Sequence, residues 1–358
     1  MSQAFLTLHD LLPAQELKAA IDAGHVTRKA HPELPLSIYT YTRTAQYERV
    51  WNQVTTRCRG LVADDTTSRI VALPLPKFFN VGEHESGQPY APSLPDEPFE
   101  VYDKVDGSLA VVFHYAGTWR AASKGSFISE QATWAQRRLD GRDTARLVPG
   151  VTYLAEVLYP QNRIVVDYGD RRDLVLLAAF GRDGTEVPLA EAAGHWRGIG
   201  SVVTVWPAMP LAELLALTES STLPGGAPAT GTDAEGFVLR FASGVRAKAK
   251  IAEYVRLHKV LTGVTERDIW RGHGIQRFAG CPPSSWRRAS IAPSRTSRPV
   301  TASRWTRCCA RCPTSSTRGC ERSSSGWRKP PHGANGPSTR PSTRWPTWPA
   351  TEVPSPGR

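Results

Sequence analysis

Cysteine is nearly absent from most of this chain, since Cys58 is the only one in residues 1–275. A stretch of that size with one cysteine excludes a disulfide framework and is typical of an intracellular protein. No run of 18 apolar residues occurs, which excludes a membrane-spanning helix. The N-terminal residues lack the basic region and long apolar stretch of an export signal. We therefore expect a cytoplasmic protein that does not contact a membrane.

Leu, Tyr, Met and Asp are all missing from residues 276–358, although this segment contains five Trp and five Cys. It has 14 Arg and one Lys against two Glu, whereas residues 1–275 have 29 basic and 31 acidic side chains. The basic character of the protein therefore belongs to the tail. Without aliphatic periodicity, the tail cannot form a core that offsets its chain entropy. We expect a folded domain over residues 1–272 and a non-globular, disordered tail over residues 273–358.

Three interpretations of this tail stay open from the sequence. Its clustered cysteines suggest zinc, but their spacing is irregular and no second paired cluster exists. Arginine interleaved with tryptophan suggests an RNA-binding segment. We favour a third interpretation, in which a GC-rich gene is read in the wrong frame. A slip of one base converts common Leu, Asp and Glu codons into codons for Cys, Trp, Thr and Arg, which matches both the deficit and the excess.

The body of the chain alternates short apolar segments with Gly, Asp and Pro, which predicts more strand than helix. Two helical patterns follow the strands, near residues 189–196 and 211–218, and a last helix contains Tyr254, Leu257 and Leu261 at helical spacing. Short connections favour an α+β domain of mainly antiparallel sheets with flanking helices. The predicted strands are Thr118–Ser123, Thr152–Tyr159, Arg163–Tyr168, Asp173–Phe180, Gly236–Phe241 and Val245–Ile251.

Lys104 lies in the segment Phe99–Tyr115, where a Lys-Val-Asp-Gly-Ser turn separates two apolar runs. Gly107 is expected to allow a tight bend at positive φ between two strands. Asp106, two residues after Lys104, is expected to face the same way. A lysine in this setting is either an ordinary charge at a strand end or a nucleophile, and the short motif alone does not decide between them.

Further charged residues stand at the edges of apolar segments, and each has a plain structural explanation. Considered one at a time, Arg59 and Lys77 would each be an ordinary surface charge. Lys124 would be a solvated turn residue, and Glu235 a charge at the end of a hairpin. Lys248 and Lys250 alternate on one strand face, where they either discourage edge pairing or meet a common anion. Glu156 is the hardest to explain structurally, because an unpaired carboxylate within an apolar strand is costly.

The order of these motifs resembles a known family. KVDGS and EGFV are typical of the covalent nucleotidyltransferase superfamily of ligases and capping enzymes. KFFN, SKGSFISEQA and PQNRIVVDY, in that order, resemble the ATP-dependent RNA ligases of the bacteriophage tRNA-repair type. The resemblance covers residues 56–269 and implies the covalent nucleotidyltransferase, or ATP-grasp-like, ligase fold.

The resemblance also implies a chemistry for each residue. Lys104 is the expected nucleophile that forms lysyl-AMP from ATP, and Lys248 and Lys250 complete the catalytic set. Mg²⁺ is the expected cofactor, with Glu235 positioning it, and Val238 is expected to line the adenine pocket. The remaining expected ATP-binding residues are Arg59, Lys77, Asp106, Gly107, Lys124, Glu156 and Glu235.

The expected partners are RNA ends, a 5′-phosphate and a 3′-hydroxyl, in a substrate such as nicked tRNA, together with an end-healing kinase or phosphatase. Related ligases have a helical C-terminal domain, and nothing after Trp270 resembles one. The tail is then a frameshifted remnant of that domain. A DNA ligase or capping enzyme, or a catalytically impaired nucleic-acid-binding protein, remains the alternative.

Overall fold

The computed structural model describes residues 6–263, with side chains as far as residue 261. The chain divides into two units, Met1–Gly280 and Cys281–Arg358. The second unit lies outside the described residues, so the predictions made for the tail remain predictions. Within residues 6–263, no helix is both long enough and apolar enough to cross a membrane.

The strands of the first unit form three sheets. The first sheet has the order β1-β2-β3-β4, the second β11-β10-β9-β7-β8, and the third β12-β6-β13-β14-β5. The strands are β1 (Val26–Ala30), β2 (Leu36–Tyr41), β3 (Arg59–Asp64), β4 (Ile70–Ala72), β5 (Phe79–Asn80), β6 (Phe99–Asp103), β7 (Ser108–Tyr115), β8 (Thr118–Ser123), β9 (Thr152–Leu158), β10 (Asp173–Phe180), β11 (Glu186–Val187), β12 (Val205–Trp206), β13 (Gly236–Phe241) and β14 (Arg246–Lys250).

The helices are short and flank the sheets. Several begin at a capping side chain: Asn52 accepts hydrogen bonds from two backbone N–H groups of α4, and Ser129 accepts one from α6. The helices are α1 (Leu8–Leu11), α2 (Ala14–Asp22), α3 (Arg43–Glu48), α4 (Gln53–Arg57), α5 (Val81–Glu85), α6 (Glu130–Asp140), α7 (Leu189–His195), α8 (Leu211–Ser220) and α9 (Ala252–Gly263), with a 3₁₀ turn at Pro160–Asn162.

The second sheet is the central layer of the unit. Val111 and Phe113 of β7 pack against Ile38 and Val62 of the first sheet, and the opposite face packs against α6 and α7. Because β7 is covered on both faces, its sequence is continuously apolar and does not alternate. The third sheet has its own core, in which Phe237 and Leu239 of β13 pack against Leu214 of α8.

The prediction of an α+β fold with mainly antiparallel sheets is confirmed. Within residues 6–263, the strands pair antiparallel throughout except for β5 with β14. The predicted hairpin and both predicted helical patterns are present, and α9 forms the last described helix. These elements were predictable because each one buries a local and periodic set of apolar side chains.

The strand predicted at Arg163–Tyr168 is wrong, because this segment follows the 3₁₀ turn as irregular backbone. Its apolar residues are buried, with Val165 and Val166 each only 1% exposed. Their N–H groups donate to Oδ2 of Asp106, at 2.9 and 3.0 Å, and not to a neighbouring strand. A buried carboxylate therefore provides the hydrogen bonds that a sheet would have supplied.

Candidate active site

The segment Lys104–Gly107 crosses from one sheet to another. β6 ends at Asp103 in the third sheet, and β7 begins at Ser108 in the second. The bend expected between two strands is present at Gly107, and the two strands that it connects, β6 and β7, belong to different sheets. Lys104 consequently lies at the seam between the two sheets, where a cavity can form beside it.

Gly107 is required for a reason other than the one predicted. It is not among the residues with positive φ. A Cβ atom at this position would lie 2.6 Å from the Val157 carbonyl oxygen on β9. The close approach of two backbones, and not a left-handed conformation, excludes a side chain here.

The register of the third sheet brings Lys104, Glu235 and Lys250 together. Asp103 is opposite Phe237 in the β6–β13 pair, and Gly236 is opposite Lys250 in the β13–β14 pair. The N–H of Lys104 donates to the carbonyl of Gly236 at 2.8 Å. Three neighbouring strands therefore place the two lysines on either side of the residue that follows Glu235.

Glu235 is the buried anion of this group. Its Oε2 lies 2.6 Å from Lys104 Nζ and its Oε1 lies 2.7 Å from Lys250 Nζ. Burial acts to raise the pKa of Glu235, but the two ammonium groups outweigh it and hold that pKa below its usual value. Glu235, only 4% exposed, therefore stays ionised and fixes both lysines.

Asp106 binds protein groups with both of its carboxylate oxygens. Oδ2 accepts from the two N–H groups of the segment after the 3₁₀ turn, and Oδ1 accepts from Tyr254 Oη at 2.8 Å. The N–H of Asp106 donates to Tyr168 Oη at 2.9 Å. Burial, reinforced by nearby carboxylates, raises the pKa of both tyrosines. Asp106 lies beside the cavity next to Lys104. The predicted alternation of side chains along a strand does not apply here, because the segment Lys104–Gly107 is not a strand.

Glu156 lies on β9 opposite Leu109 of β7, in the wall of the same cavity. Within the described part of the chain, its carboxylate makes no hydrogen bond or ion pair. Burial raises the pKa of Glu156 to about 7, although Lys104 and Arg59 oppose the shift. A carboxylate in that state is available to accept hydrogen bonds from a bound ligand.

Aromatic rings, and not salt-bridged carboxylates, contact the other cations of the site. In residues 6–263, Arg59, Lys77, Lys124 and Lys248 form no salt bridge. Lys77 Nζ lies 4.4 Å from the Trp51 ring centroid, and Lys124 Nζ lies 4.5 Å from that of Tyr41. Arg59 and Lys248 both lie over Phe78, at 5.9 and 5.8 Å. A π face stabilises a cation without a formal negative charge, so these groups keep their attraction for an anion.

Burial and neighbouring cations lower the pKa of Lys248 to about 7. Burial also lowers the pKa of Lys77, although the nearby Tyr41 and Glu83 oppose it. For Tyr41, burial acts to raise the pKa, but Lys124, Arg59 and Lys77 together hold it below its usual value. The site therefore concentrates positive charge from the start of β3, the segment before β5, the end of β8 and the strand β14.

Two cavities and one smaller pocket contain most of the predicted residues. The first cavity, of ≈ 500 Å³, is lined by Arg59, Lys104, Asp106, Gly107, Lys124, Glu156, Glu235 and Lys250. The second cavity, of ≈ 510 Å³, is lined by Lys248 and again by Lys250. Val238 lines a pocket of ≈ 70 Å³ beside Lys104 and Glu156. Lys77 lines none of these three and lies among the aromatic rings of Tyr41, Trp51 and Phe79.

The aromatic residues of the site could not be identified from the sequence. Tyr41, Tyr254 and His258 all line the first cavity. Tyr254 was expected only as a residue at helical spacing in the last helix, and no role was predicted for Tyr41 or His258. Trp51 contacts Lys77 from the loop before α4. A tyrosine that binds a buried carboxylate looks the same in sequence as one that fills a core.

The carboxylates of the first cavity suit a divalent cation held jointly by protein and substrate. Within residues 6–263, no group of three or more His, Cys, Asp or Glu is arranged to hold a metal ion. Mg²⁺ is commonly bound through one or two carboxylates together with substrate phosphates. Glu156 and Glu235 fit that arrangement, although Glu235 binds two lysines here.

The fold and site define a mainly antiparallel α+β domain with a lysine–glutamate–lysine group at a sheet seam. A family model described as RNA ligase matches residues 57–256. The chain belongs to this RNA ligase family, and the resemblance inferred from its motifs is confirmed.

Two other proteins are similar in sequence to part of this chain. A candidate bifunctional polynucleotide kinase/RNA ligase of Autographa californica nuclear polyhedrosis virus is 27% identical over 192 residues, covering 47% of this chain and 27% of that protein. A candidate RNA ligase of Thermovibrio ammonificans is 28% identical over 124 residues, covering 33% of this chain and 32% of that protein. The matched segments span about a third or less of either relative.

Among solved structures, a candidate ATP-dependent DNA ligase from Aquifex aeolicus aligns with a TM-score of 0.43 and 18% identity. The alignment covers 65% of this chain and 61% of that one.

Proposed function

We propose that this protein is an ATP-dependent RNA ligase in which Lys104 forms a covalent lysyl-AMP intermediate. The observation that supports this most directly is the group of Lys104, Glu235 and Lys250 beside a cavity that also contains Glu156. A lysine fixed by a buried carboxylate and surrounded by further cations suits attack on a phosphate.

The reaction has three steps. The free amine of Lys104 attacks the α-phosphorus of ATP, so a nitrogen–phosphorus bond forms and pyrophosphate leaves. An RNA 5′-phosphate then attacks the same phosphorus and releases the amine. Finally, a 3′-hydroxyl attacks the activated RNA phosphate, and AMP leaves as the strand is sealed.

The charged residues of the site have separate parts in this scheme. Arg59, Lys124 and Lys250 line the first cavity and offset the negative charge of the reacting phosphates. Lys77 and Lys248 add positive charge from beside it. Glu156 accepts hydrogen bonds from the ribose hydroxyls, and Val238 contacts the adenine. Glu235 and Glu156 would hold Mg²⁺, which would supply further charge neutralisation at the phosphates.

Incubation with ATP and Mg²⁺ tests the covalent step. The protein should retain label from ATP labelled at the α-phosphate and none from ATP labelled at the γ-phosphate. Lys104→Ala and Lys104→Arg should both lose the label, because alanine has no amine and a guanidinium is not deprotonated. Lys18→Ala, at an exposed helix position, is the matched control. An unlabelled wild-type protein would overturn the proposal.

The choice of nucleic acid is tested with the labelled protein. Single-stranded RNA with a 5′-phosphate and nicked RNA should be joined, and nicked DNA should not. Joining of nicked DNA alone would favour the DNA ligase alternative. Transfer of a nucleotide to a 5′-diphosphate end would favour a capping enzyme. Binding of RNA without any label on Lys104 would favour the impaired binding protein.

We also propose that 5′-phosphate ends reach this protein from an end-healing kinase, acting on substrates such as nicked tRNA. The viral relative is described as joining a kinase and a ligase in one protein. RNA with a 5′-hydroxyl should be joined only when a polynucleotide kinase is added. Joining without the kinase would contradict this part of the proposal.

The domain limits and the location in the cell are proposals as well. We assign residues 1–272 to the adenylyltransferase domain and residues 273–358 to the tail, in a cytoplasmic protein. The gene sequence around codons 270–280 tests the tail: a second long open frame should encode a leucine-rich continuation. If the only long frame encodes the tail as written, the frameshift interpretation is wrong.

A further inference from the structure

Tyr47, on the short helix α3, has its ring in solvent. The residue is 91% exposed. Every other Phe, Tyr and Trp in residues 6–261 is buried or half-buried. An aromatic ring normally contributes to stability by burying its two faces. The Tyr47 ring makes no such contribution to the described chain, so its faces are available to a ligand.

The α3 helix lies between two residues of the candidate active site. β2 ends at Tyr41, which lines the first cavity, and the Thr42 side chain then caps α3. After the helix, Arg49 has a left-handed backbone with φ 57° and reverses the chain towards Trp51. The Trp51 ring packs edge-on against Tyr41, with 5.0 Å between ring centroids. Both ends of α3 are therefore fixed at the site, and Tyr47 lies on the projection between them.

Positive charge surrounds Tyr47. Arg43 is exposed and lies four positions earlier on α3, so the two side chains share one face of the helix. In residues 6–263, Arg43 forms no salt bridge. Glu48 is the one acid in residues 42–59, and its carboxylate lies 3.0 Å from His25. The same segment contains four arginines: Arg43, Arg49, Arg57 and Arg59.

We propose that α3 is a platform for single-stranded RNA, on which Tyr47 stacks against one base and Arg43 contacts a neighbouring phosphate. This inference rests on the proposed function. Surfaces that hold single strands combine basic side chains with exposed aromatic rings, and any base presents a face that can stack. The platform therefore holds RNA beside the first cavity without reading its sequence.

Direct binding tests the stacking contact without any catalytic step. The full-length Lys104→Ala protein, which cannot form the adduct, should bind a fluorescent single-stranded RNA with a 5′-phosphate. Adding Tyr47→Ala should weaken this binding about tenfold, whereas Tyr47→Phe and Tyr47→Trp should change it by no more than about twofold, because each keeps a ring. Val205→Ala, an exposed apolar residue of β12, is the matched control. Equal binding with and without Tyr47→Ala would overturn the platform.

Salt dependence separates the two contacts of the platform. Arg43→Ala should lower the slope of log affinity against log salt concentration by about one, because one phosphate contact is lost. Tyr47→Ala should weaken binding at every salt concentration and leave the slope unchanged. Arg142→Ala, an exposed arginine after α6, is the control and should leave the slope unchanged. An unchanged slope in Arg43→Ala would overturn its phosphate contact.

Two partial reactions identify the bound strand. The isolated lysyl-AMP protein transfers AMP to a 5′-phosphate strand without an acceptor, and an adenylylated RNA is sealed to a 3′-hydroxyl strand without ATP. Slower AMP transfer in Tyr47→Ala at low RNA concentration would assign the platform to the 5′-phosphate strand. Slower sealing alone would assign it to the 3′-hydroxyl strand. Normal rates of both would overturn the platform.

Self-labelling separates this inference from the proposed function. Tyr47→Ala should label Lys104 from ATP at nearly the wild-type rate, and loss of labelling would mean that α3 shapes the ATP site and is not an RNA platform. If the wild type formed no adduct while Tyr47→Ala still weakened RNA binding, the proposed function would fail and the platform would stand. If the adduct formed but RNA binding were unchanged, the platform alone would fail.

Discussion

Lys104 and Glu235 are 131 positions apart in the sequence, yet their side chains form a hydrogen-bonded ion pair of 2.6 Å. The pair exists because β6 and β13 are neighbours in the third sheet and end at the same seam. Lys250 reaches the same carboxylate from β14. The stability of the seam and the proposed chemistry therefore depend on one buried anion.

Replacing Glu235 by Gln should destabilise the protein by about 3 kcal/mol, because two lysines lose their buried counter-charge. The pKa of Glu235 is lowered from 4.5 in the folded protein. Its stabilising effect is therefore present above pH 4.5 and is lost as the pH falls through the folded-state value. Urea unfolding of both proteins at pH 7 and pH 4 measures this. A difference that grew at the lower pH would contradict the assignment.

Glu156 should show the opposite dependence on pH. Its pKa is raised from 4.5 to about 7 by burial, so the folded protein resists its ionisation. The free-energy penalty for ionising Glu156 in the folded protein should develop as the pH rises from 4.5 to 7. A pKa shift of that size corresponds to about 3 kcal/mol. Glu156→Gln should therefore be more stable than wild type at pH 8 and no more stable at pH 4. Unfolding free energies that differ equally at both pH values would contradict this.

The same variant should bind ATP less tightly.

Gly107→Ala should destabilise the fold by about 1–3 kcal/mol, since the new methyl group overlaps a backbone carbonyl. Gly194→Ala is the matched control, because Gly194 lies in α7 and a Cβ atom there meets nothing within 4 Å. That second change should stabilise the protein by about 0.5–1 kcal/mol. Thermal unfolding of both variants measures the contrast, and destabilisation of equal size would refute it.

The Trp51 ring should matter for its π face more than for its volume. Trp51→Leu removes a cation–π contact worth about 0.5–2 kcal/mol and leaves Lys77 less well positioned. We expect the ATP concentration that gives half of the maximal labelling rate to rise several-fold, with the maximal rate constant of labelling changed less. Trp51→Phe should restore most of the wild-type value. If Leu and Phe behaved alike, Trp51 would be only a packing residue.

Local features of the sequence were sufficient to predict part of the secondary structure and the chemical inventory of the site. Apolar periodicity indicated the strands β6 to β10, β13 and β14 and the helices α7 to α9, because each buries a local face. The motif residues identified the family, because the spacing of Lys104, Lys124, Glu156, Glu235 and Lys250 is a property of the chain. Asp64 accepts hydrogen bonds from the N–H groups of Thr66 and Thr67, a contact within one turn that depends only on local sequence.

Which of these residues meet, and which hydrogen bonds and ion pairs they form, depends on the tertiary structure. The Asp106 carboxylate accepts hydrogen bonds from N–H groups 59 and 60 positions away. The segment Arg163–Tyr168, which was predicted as a strand, is therefore irregular. Lys248 and Lys250 both line the second cavity, but Lys250 also lines the first, where it binds Glu235. Long-range contacts of this kind arise from sheet register and from the crossing between sheets, and neither leaves a periodic trace in the chain.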